Sequence, residues 1–383
     1  MVNRMILNET SYFGQGAVEN VATEILARGF KKAVVVTDKD LVEFGVVDKV
    51  TRHLTKANID FVIYDGIVPN PTIENVKDGV AFVKEAQADC LVAIGGGSPI
   101  DTAKAIGIIV TNPEFSDVIS LEGVADTKNP CLPILAVPTT SGTAAEVTIN
   151  YVITDKENNR KFVCVDPHDI PIVAFVDSDM MMGMPSALCA ATGMDAMTHA
   201  IEGFITQGAW EMSDMLHIKA IEIIGRSLRD SVKGDQVARE QMALGQYIAG
   251  MGFSNVGLGL VHGMAHPLSA WYNVPHGVAC ASLLPTVMKY NKDFTGEKYR
   301  EIAIALGIAN AATMSLTDVR DAACDAIDQL SQDVGIPATI SELGVKKEDL
   351  PQIAEDALRD VCTPGNPRQT SLEDIIALYT SLM

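Results

Sequence analysis

From Gln241 to Met288 the chain contains no Asp, Glu, Lys or Arg, although charged residues make up 20% of the sequence. A stretch this long without charge is expected to be largely buried, so the fold must supply an interior large enough to take it. Three of the seven histidines lie within it, and each imidazole there is a polar group that needs a partner in a low-dielectric surrounding. At 383 residues the chain exceeds what one core usually organises, and two domains are expected.

Ahead of this segment the pattern is different. Short β-branched runs at Ala33 to Thr37, Asp60 to Tyr64, Cys90 to Ile94 and Ile134 to Val137 read as buried strands, separated by stretches long enough for crossover helices. That alternation predicts a parallel sheet with helices on both faces and ligands at the C-terminal ends of its strands. Past Pro185 the strand signal fades, and Ala187 to Ile205, Ser213 to Ser231 and Leu316 to Asp333 read as helices. The expected fold is α/β: an N-terminal Rossmann-like parallel-sheet domain, residues 1–182, then an all-helical domain, residues 183–383. The Asp179 to Pro185 stretch breaks the pattern between them.

Two loops fall at strand ends. Gly95-Gly96-Gly97-Ser98-Pro99-Ile100-Asp101 follows one strand and opens a helix, where bare amides and the helix dipole can hold a pyrophosphate. Pro138-Thr139-Thr140-Ser141-Gly142-Thr143 ends another and offers hydroxyls and amides. Asp38 also ends a strand; there a carboxylate can accept the ribose hydroxyls and repel a 2′-phosphate, which favours NAD over NADP. As a plainer alternative, Asp38 caps the helix that follows.

Asp195 and His199 are spaced i, i+4, which on a helix places both on one face a turn apart. His262 and His266 repeat the spacing, and His276 follows. Singly, each is best read as a hydrogen-bonded core residue; together, four histidines and one carboxylate form a metal site. Imidazole with one carboxylate suits Fe(II) or Zn(II), and spacing leaves both open. His53, His168 and His217 fit no such set.

The formal charge of -20 opposes binding of nucleic acid, and no run approaches the length that spans a bilayer. Seven scattered cysteines without CxxC spacing suit a reducing cytoplasm. The charge-free segment has no Arg or Lys to pair a substrate carboxylate or phosphate, so an uncharged substrate is expected, and a metal with an open position could polarise the oxygen of an alcohol or carbonyl; Phe253 and Trp271, unless they are ordinary core, narrow the channel to a small aldehyde or alcohol of two to four carbons. A metallohydrolase, with a metal-bound water as nucleophile, is the alternative from another class, but it leaves both loops unused.

These strings, with Gly193-Met194-Asp195-Ala196-Met197-Thr198-His199-Ala200-Ile201-Glu202 and Gly259-Leu260-Val261-His262-Gly263-Met264-Ala265-His266-Pro267-Leu268, resemble the iron-containing, group III alcohol dehydrogenases from end to end. The resemblance implies a dehydroquinate synthase-like fold with the active site in the cleft between the domains, and a homodimer. It implies that Asp195, His199, His262 and His276 bind Fe(II), with His266 unligated as a proton relay. Asp38, Asn70, Gly96, Gly97, Ser98, Thr139, Thr140, Thr143, Asn150, Lys161 and Leu188 are implied to contact NAD, and Phe253 and Cys362 to wall the substrate channel. Glycerol dehydrogenases and dehydroquinate synthases resemble the same superfamily; the latter, a lyase, needs basic residues that the charge-free segment lacks.

Overall fold

In a computed structural model, residues 2–383 are described, and their contacts divide the chain into two compact units, one ending at Met184 and one running from Pro185 to Met383. Among the described residues the first unit holds eight strands: β1 (Thr10–Phe13), β2 (Lys32–Asp38), β3 (Asp60–Ile67), β4 (Cys90–Gly95), β5 (Ile134–Pro138), β6 (Asn150–Asp155), β7 (Arg160–Val165) and β8 (Val173–Val176). Six form one sheet in the order β1-β8-β5-β4-β2-β3, and every pairing in it is parallel. The run Ala33 to Val36 in β2 has no exposed surface, as does Leu91 to Ile94 in β4. Apolar cover on both faces explains why these strands read as continuous runs rather than as alternation.

The chain steps from β2 outward to β3 and then returns to β4 on the other side of β2. Connections diverge at this point, the place in such sheets where ligands are usually taken at the strand ends. Asp38 closes β2 and Gly95 closes β4, on the two strands that flank the reversal. β6 and β7, not anticipated from the sequence, form an antiparallel hairpin paired from Asn150↔Val165 to Asp155↔Arg160.

Beyond Pro185 the described elements are all helical, and the expected α/β fold class is present. Helices Ser186–Ile205, Glu211–Val232, Gln236–Val256, Leu260–Tyr272 and His276–Asn291 carry the long core of this unit. Close approach depends on glycine: a Cβ on Gly193 would meet Leu228 Cδ1 at 2.2 Å, and one on either Gly203 or Gly252 would meet His217 Nε2 at 2.3 Å. The His217 ring is therefore wedged between two helices. It is fully buried, neither ring nitrogen has a hydrogen-bond partner, and burial pulls its pKa down to about 3.

The charge-free segment is buried over most of its length, with one correction. Asn273 adopts φ 52, ends the Leu260–Tyr272 helix and turns the chain at the surface, so Trp271 is 37% exposed and donates Nε1–H to Asp356 Oδ2 at 3.0 Å. Trp271 is thus a surface residue rather than part of the buried interior.

Candidate functional site

The Ser186–Ile205 helix is built from small residues on its packed face, and it places Asp195, His199 and Glu202 along one side. His262 and His266 lie on the Leu260–Tyr272 helix, and His276 is the first residue of the His276–Asn291 helix. At Gly277 the last of these presses onto the first: a Cβ there would lie 2.7 Å from Ala191 O and 3.4 Å from Asp195 Cβ. The absence of that Cβ lets His276 Nε2 stand 3.7 Å from Asp195 Oδ1.

All five residues singled out for the metal gather in this one unit. Ring centroids are 4.7 Å apart for His199 and His262, 5.3 Å for His262 and His276, and 5.4 Å for His266 and His276. Donor atoms of Asp195, His262 and His276 lie within 4.8 Å of one another, and the fourth member of that compact set is Cys280. His199 stands beside the set, its ring stacked on Phe253 at 4.2 Å. His266 falls in a second group, with Asp360 and Cys362.

Glu202 was not singled out from the sequence. Its Oε1 accepts the Val261 N–H at 2.6 Å and its Oε2 the His262 N–H at 3.3 Å, so it caps a helix whose own N-cap, Gly259, has no side chain to do so. Oε2 also lies 2.6 Å from His262 Nδ1, and since a carboxylate only accepts, Nδ1 carries the proton. The lone pair is thereby fixed on Nε2, which is buried and has no partner. A buried, unpartnered imidazole nitrogen facing a carboxylate is an environment made for a cation, and it fits the ligand chemistry of Fe(II) or Zn(II). Burial disfavours a charged His262 ring, yet Glu202, with the Asp195 and Asp360 carboxylates, more than offsets this and holds its pKa above the ordinary value.

His266 has a parallel support. Its Nδ1 lies 2.7 Å from Asp360 Oδ2, while Asp360 Oδ1 accepts the Cys362 N–H at 2.8 Å. Burial pushes the Asp360 carboxyl up, but the neighbouring His266 and the Cys362 N–H more than offset it and hold the acid below its usual range. Burial, with Asp360 beside it, pushes the Cys362 thiol well up.

In the first unit the two predicted loops are packed against each other. A Cβ on Gly96 would come within 3.1 Å of Thr140 Oγ1, and one on Gly97 within 2.9 Å of Thr143 Cγ2. Gly95, at φ 155, opens the turn into the Gly97–Thr111 helix, whose N-cap Gly96 leaves the first amides without a side-chain cap. Lys161 Nζ donates to Asn70 Oδ1 at 2.7 Å, joining two more predicted residues. Asn150 is held from below: its carbonyl and both oxygens of Thr148 accept from the buried Lys104 Nζ at 2.7–2.8 Å, and Asp101 Oδ2 accepts the Val152 N–H. Asp38 caps the Lys39–Glu43 helix through the Leu41 N–H at 2.9 Å, so the plainer of its two expected roles is present. Burial raises its pKa. Leu188 lies exposed in the first turn of the Ser186–Ile205 helix.

The family model for iron-containing alcohol dehydrogenases matches residues 8–178, and that for the C-terminal part of the Fe-containing alcohol dehydrogenase family matches residues 189–383. The chain belongs to the iron-containing alcohol dehydrogenase family and is an oxidoreductase of alcohols and aldehydes. It is 65% identical over 379 residues to the lactaldehyde reductase of Escherichia coli K12, covering 99% of each chain. It is 43% identical over 378 residues to the 1,3-propanediol dehydrogenase of Klebsiella pneumoniae, covering 98% of this chain and 97% of that one. Among solved structures, a 1,3-propanediol oxidoreductase superposes with a TM-score of 0.96 at 42% identity, and an alcohol dehydrogenase from Oenococcus oeni with 0.96 at 38%, each covering the whole of both chains.

Proposed function

We propose that the chain is an NAD- and Fe(II)-dependent reductase that interconverts L-lactaldehyde and L-1,2-propanediol, working as a cytoplasmic homodimer. The observation that carries the substrate is the 65% identity to a lactaldehyde reductase along 99% of both chains. Asp195, His199, His262 and His276 would hold the metal; the bare, buried His262 Nε2 supports this. When bound, the metal supplies a Lewis acid for the reacting oxygen and NADH supplies hydride.

The chain's own residues account for the rest. With Nδ1 tied to Asp360, His266 has Nε2 left to hand a proton to the nascent alcohol, or to take one in oxidation, and the Asp360 carboxylate stabilises the charged ring. Phe253 and Cys362 wall the channel. Glycine amides at Gly96, Gly97 and Ser98, with Thr139, Thr140 and Thr143, would take the pyrophosphate at a helix N-terminus; Asp38, Asn70, Asn150, Lys161 and Leu188 complete the NAD contacts. The free thiols of all seven cysteines suit a reducing compartment.

The test is a panel of glycolaldehyde, lactaldehyde, propanal, hexanal and glyoxylate with NADH and NADPH, run on anaerobically purified protein of measured metal content. Lactaldehyde with NADH should give the highest kcat/KM. A lead for hexanal or glyoxylate would overturn the substrate, and equal use of NADPH would overturn the cofactor.

A further inference from the structure

We propose that Lys104 is a positioning residue for the cofactor, holding a strained turn in the shape that offers Thr143 and Asn150 to the nucleotide. This rests on reading the loops of the first unit as an NAD site. Ala144 adopts φ 52 and ψ 26 while only 1% exposed, a left-handed backbone that is costly for alanine and that glycine takes freely. Such a conformation persists only where its surroundings hold it. The hold comes from the Gly97–Thr111 helix, which the glycine loop opens: Lys104 has no exposed surface, and its Nζ donates to Thr148 O, Thr148 Oγ1 and Asn150 O at 2.7, 2.8 and 2.8 Å. Those three bonds use every N–H of an ammonium group, so none is left for a ligand. Thr148 Oγ1, accepting from Lys104, has its own hydrogen to give, to Asn150 O at 3.2 Å or Ala145 O at 3.4 Å, and so links the ammonium to the residue after Ala144. Ahead of the turn, Thr143 Oγ1 accepts the Ala145 N–H at 3.4 Å, and Thr143 is the residue pressed against Gly97. Asp101, one turn before Lys104, accepts the Val152 N–H at 3.0 Å and fixes the start of β6 to the same helix.

Without the ammonium, three buried oxygens lose a donor and Ala144 is free to leave the left-handed region. Thr143 and Asn150 then shift together. The left-handed form is disfavoured roughly tenfold for an alanine, so the fraction of chains with a competent loop, and with it the affinity for NADH, should fall about tenfold.

NADH binding to the metal-loaded, full-length protein, read by nicotinamide fluorescence beside steady-state reduction of lactaldehyde, tests this. Lys104→Met should raise Kd and KM for NADH about tenfold while kcat at saturating NADH stays within about threefold, with circular dichroism confirming the fold. Adding Ala144→Gly to Lys104→Met should recover most of the lost affinity, because glycine holds the left-handed turn without a clamp. A lysine that served only the stability of the unit would give no such recovery. Native Kd in a folded Lys104→Met protein, or a loss that Ala144→Gly leaves uncorrected, would overturn the proposal. If Lys104→Met does not fold, Thr148→Val decides, since it cuts only the hydroxyl link: Kd should rise severalfold, and an unchanged Kd would overturn the proposal equally. A native chain that binds no NADH would overturn the cofactor reading and the role of Lys104 with it.

Discussion

Replacing Glu202 by Gln changes one atom's chemistry at a point where three N–H groups converge. In the native site Oε1 and Oε2 accept from the amides of Val261 and His262 and from His262 Nδ1, at 2.6, 3.3 and 2.6 Å. Gln keeps the shape, and its one oxygen still serves Val261, but its NH₂ then faces two donors. The ring can relieve that conflict by moving its proton from Nδ1 to Nε2, the atom proposed to bind the metal. Leaving one buried donor unmet, or holding the unfavoured tautomer, costs about 1–3 kcal/mol. Loss of an outer partner of a ligating His typically weakens metal binding about 10- to 100-fold, roughly 1.4–2.8 kcal/mol, and the two estimates agree. The assay is chelator competition on stripped Glu202→Gln protein, with thermal unfolding in parallel. Metal affinity should fall 10- to 100-fold. Native affinity in a folded Glu202→Gln protein would refute the claim that this carboxylate sets the His262 tautomer. Glu202→Ala, which strips the helix cap as well, should in addition lose several kcal/mol of stability.

His266→Ala and Asp360→Asn should both lower kcat, the first by about 10²–10⁴-fold, with metal content unchanged; a His266→Ala protein that purifies without metal would make His266 a ligand. Because Asp38 is a helix cap, Asp38→Asn is the informative change: it keeps the hydrogen bond to Leu41 and removes the charge. Its kcat/KM ratio for NADPH over NADH should rise tenfold or more with little change in Tm, and an unchanged ratio would leave Asp38 as a cap alone. His217 has a folded pKa of about 3 against an ordinary 6.5, so between these values the unfolded chain binds a proton that the native one refuses. Stability therefore falls as pH drops below 6.5, by about 1.4 kcal/mol per pH unit from this residue. Denaturant unfolding of His217→Asn between about pH 4 and 6 should show a slope shallower by one proton, and an undiminished slope would place the titration elsewhere.

Strand cores such as Ala33 to Val36 were legible because burial on both faces leaves an unbroken apolar run, and the long helices because their period is clear over many turns. The β6–β7 hairpin was missed although Asn158-Asn159 marks its turn, with Asn159 at φ 47. Asp195 with His199 and His262 with His266 stood out by i, i+4 spacing, and His276 by its place in the charge-free segment. Glu202 carried the same kind of signal, at i+3 from His199 and i+7 from Asp195, but was not singled out. Asp360 carried none: it meets His266 across 94 positions of sequence, and only tertiary structure joins them. Trp271 was misjudged because absence of charge describes a segment as a whole, whereas the turn at Asn273 brings a few of its residues to the surface.

Helical glycines are the customary first targets when a protein is engineered for heat resistance, since Gly→Ala in a helix interior is worth up to about 1 kcal/mol. In the unit beyond Pro185 that rule reverses its sign. Alanine at Gly193 would drive into Leu228, alanine at Gly203 or Gly252 would have to expel the same imidazole, and alanine at Gly277 would push the His276 helix off the backbone at Ala191. A library that exchanges glycines by helix propensity alone would collect its failures around the helices that carry the histidine cluster, and a consensus drawn from tolerant variants would keep these four positions as glycine for reasons of volume.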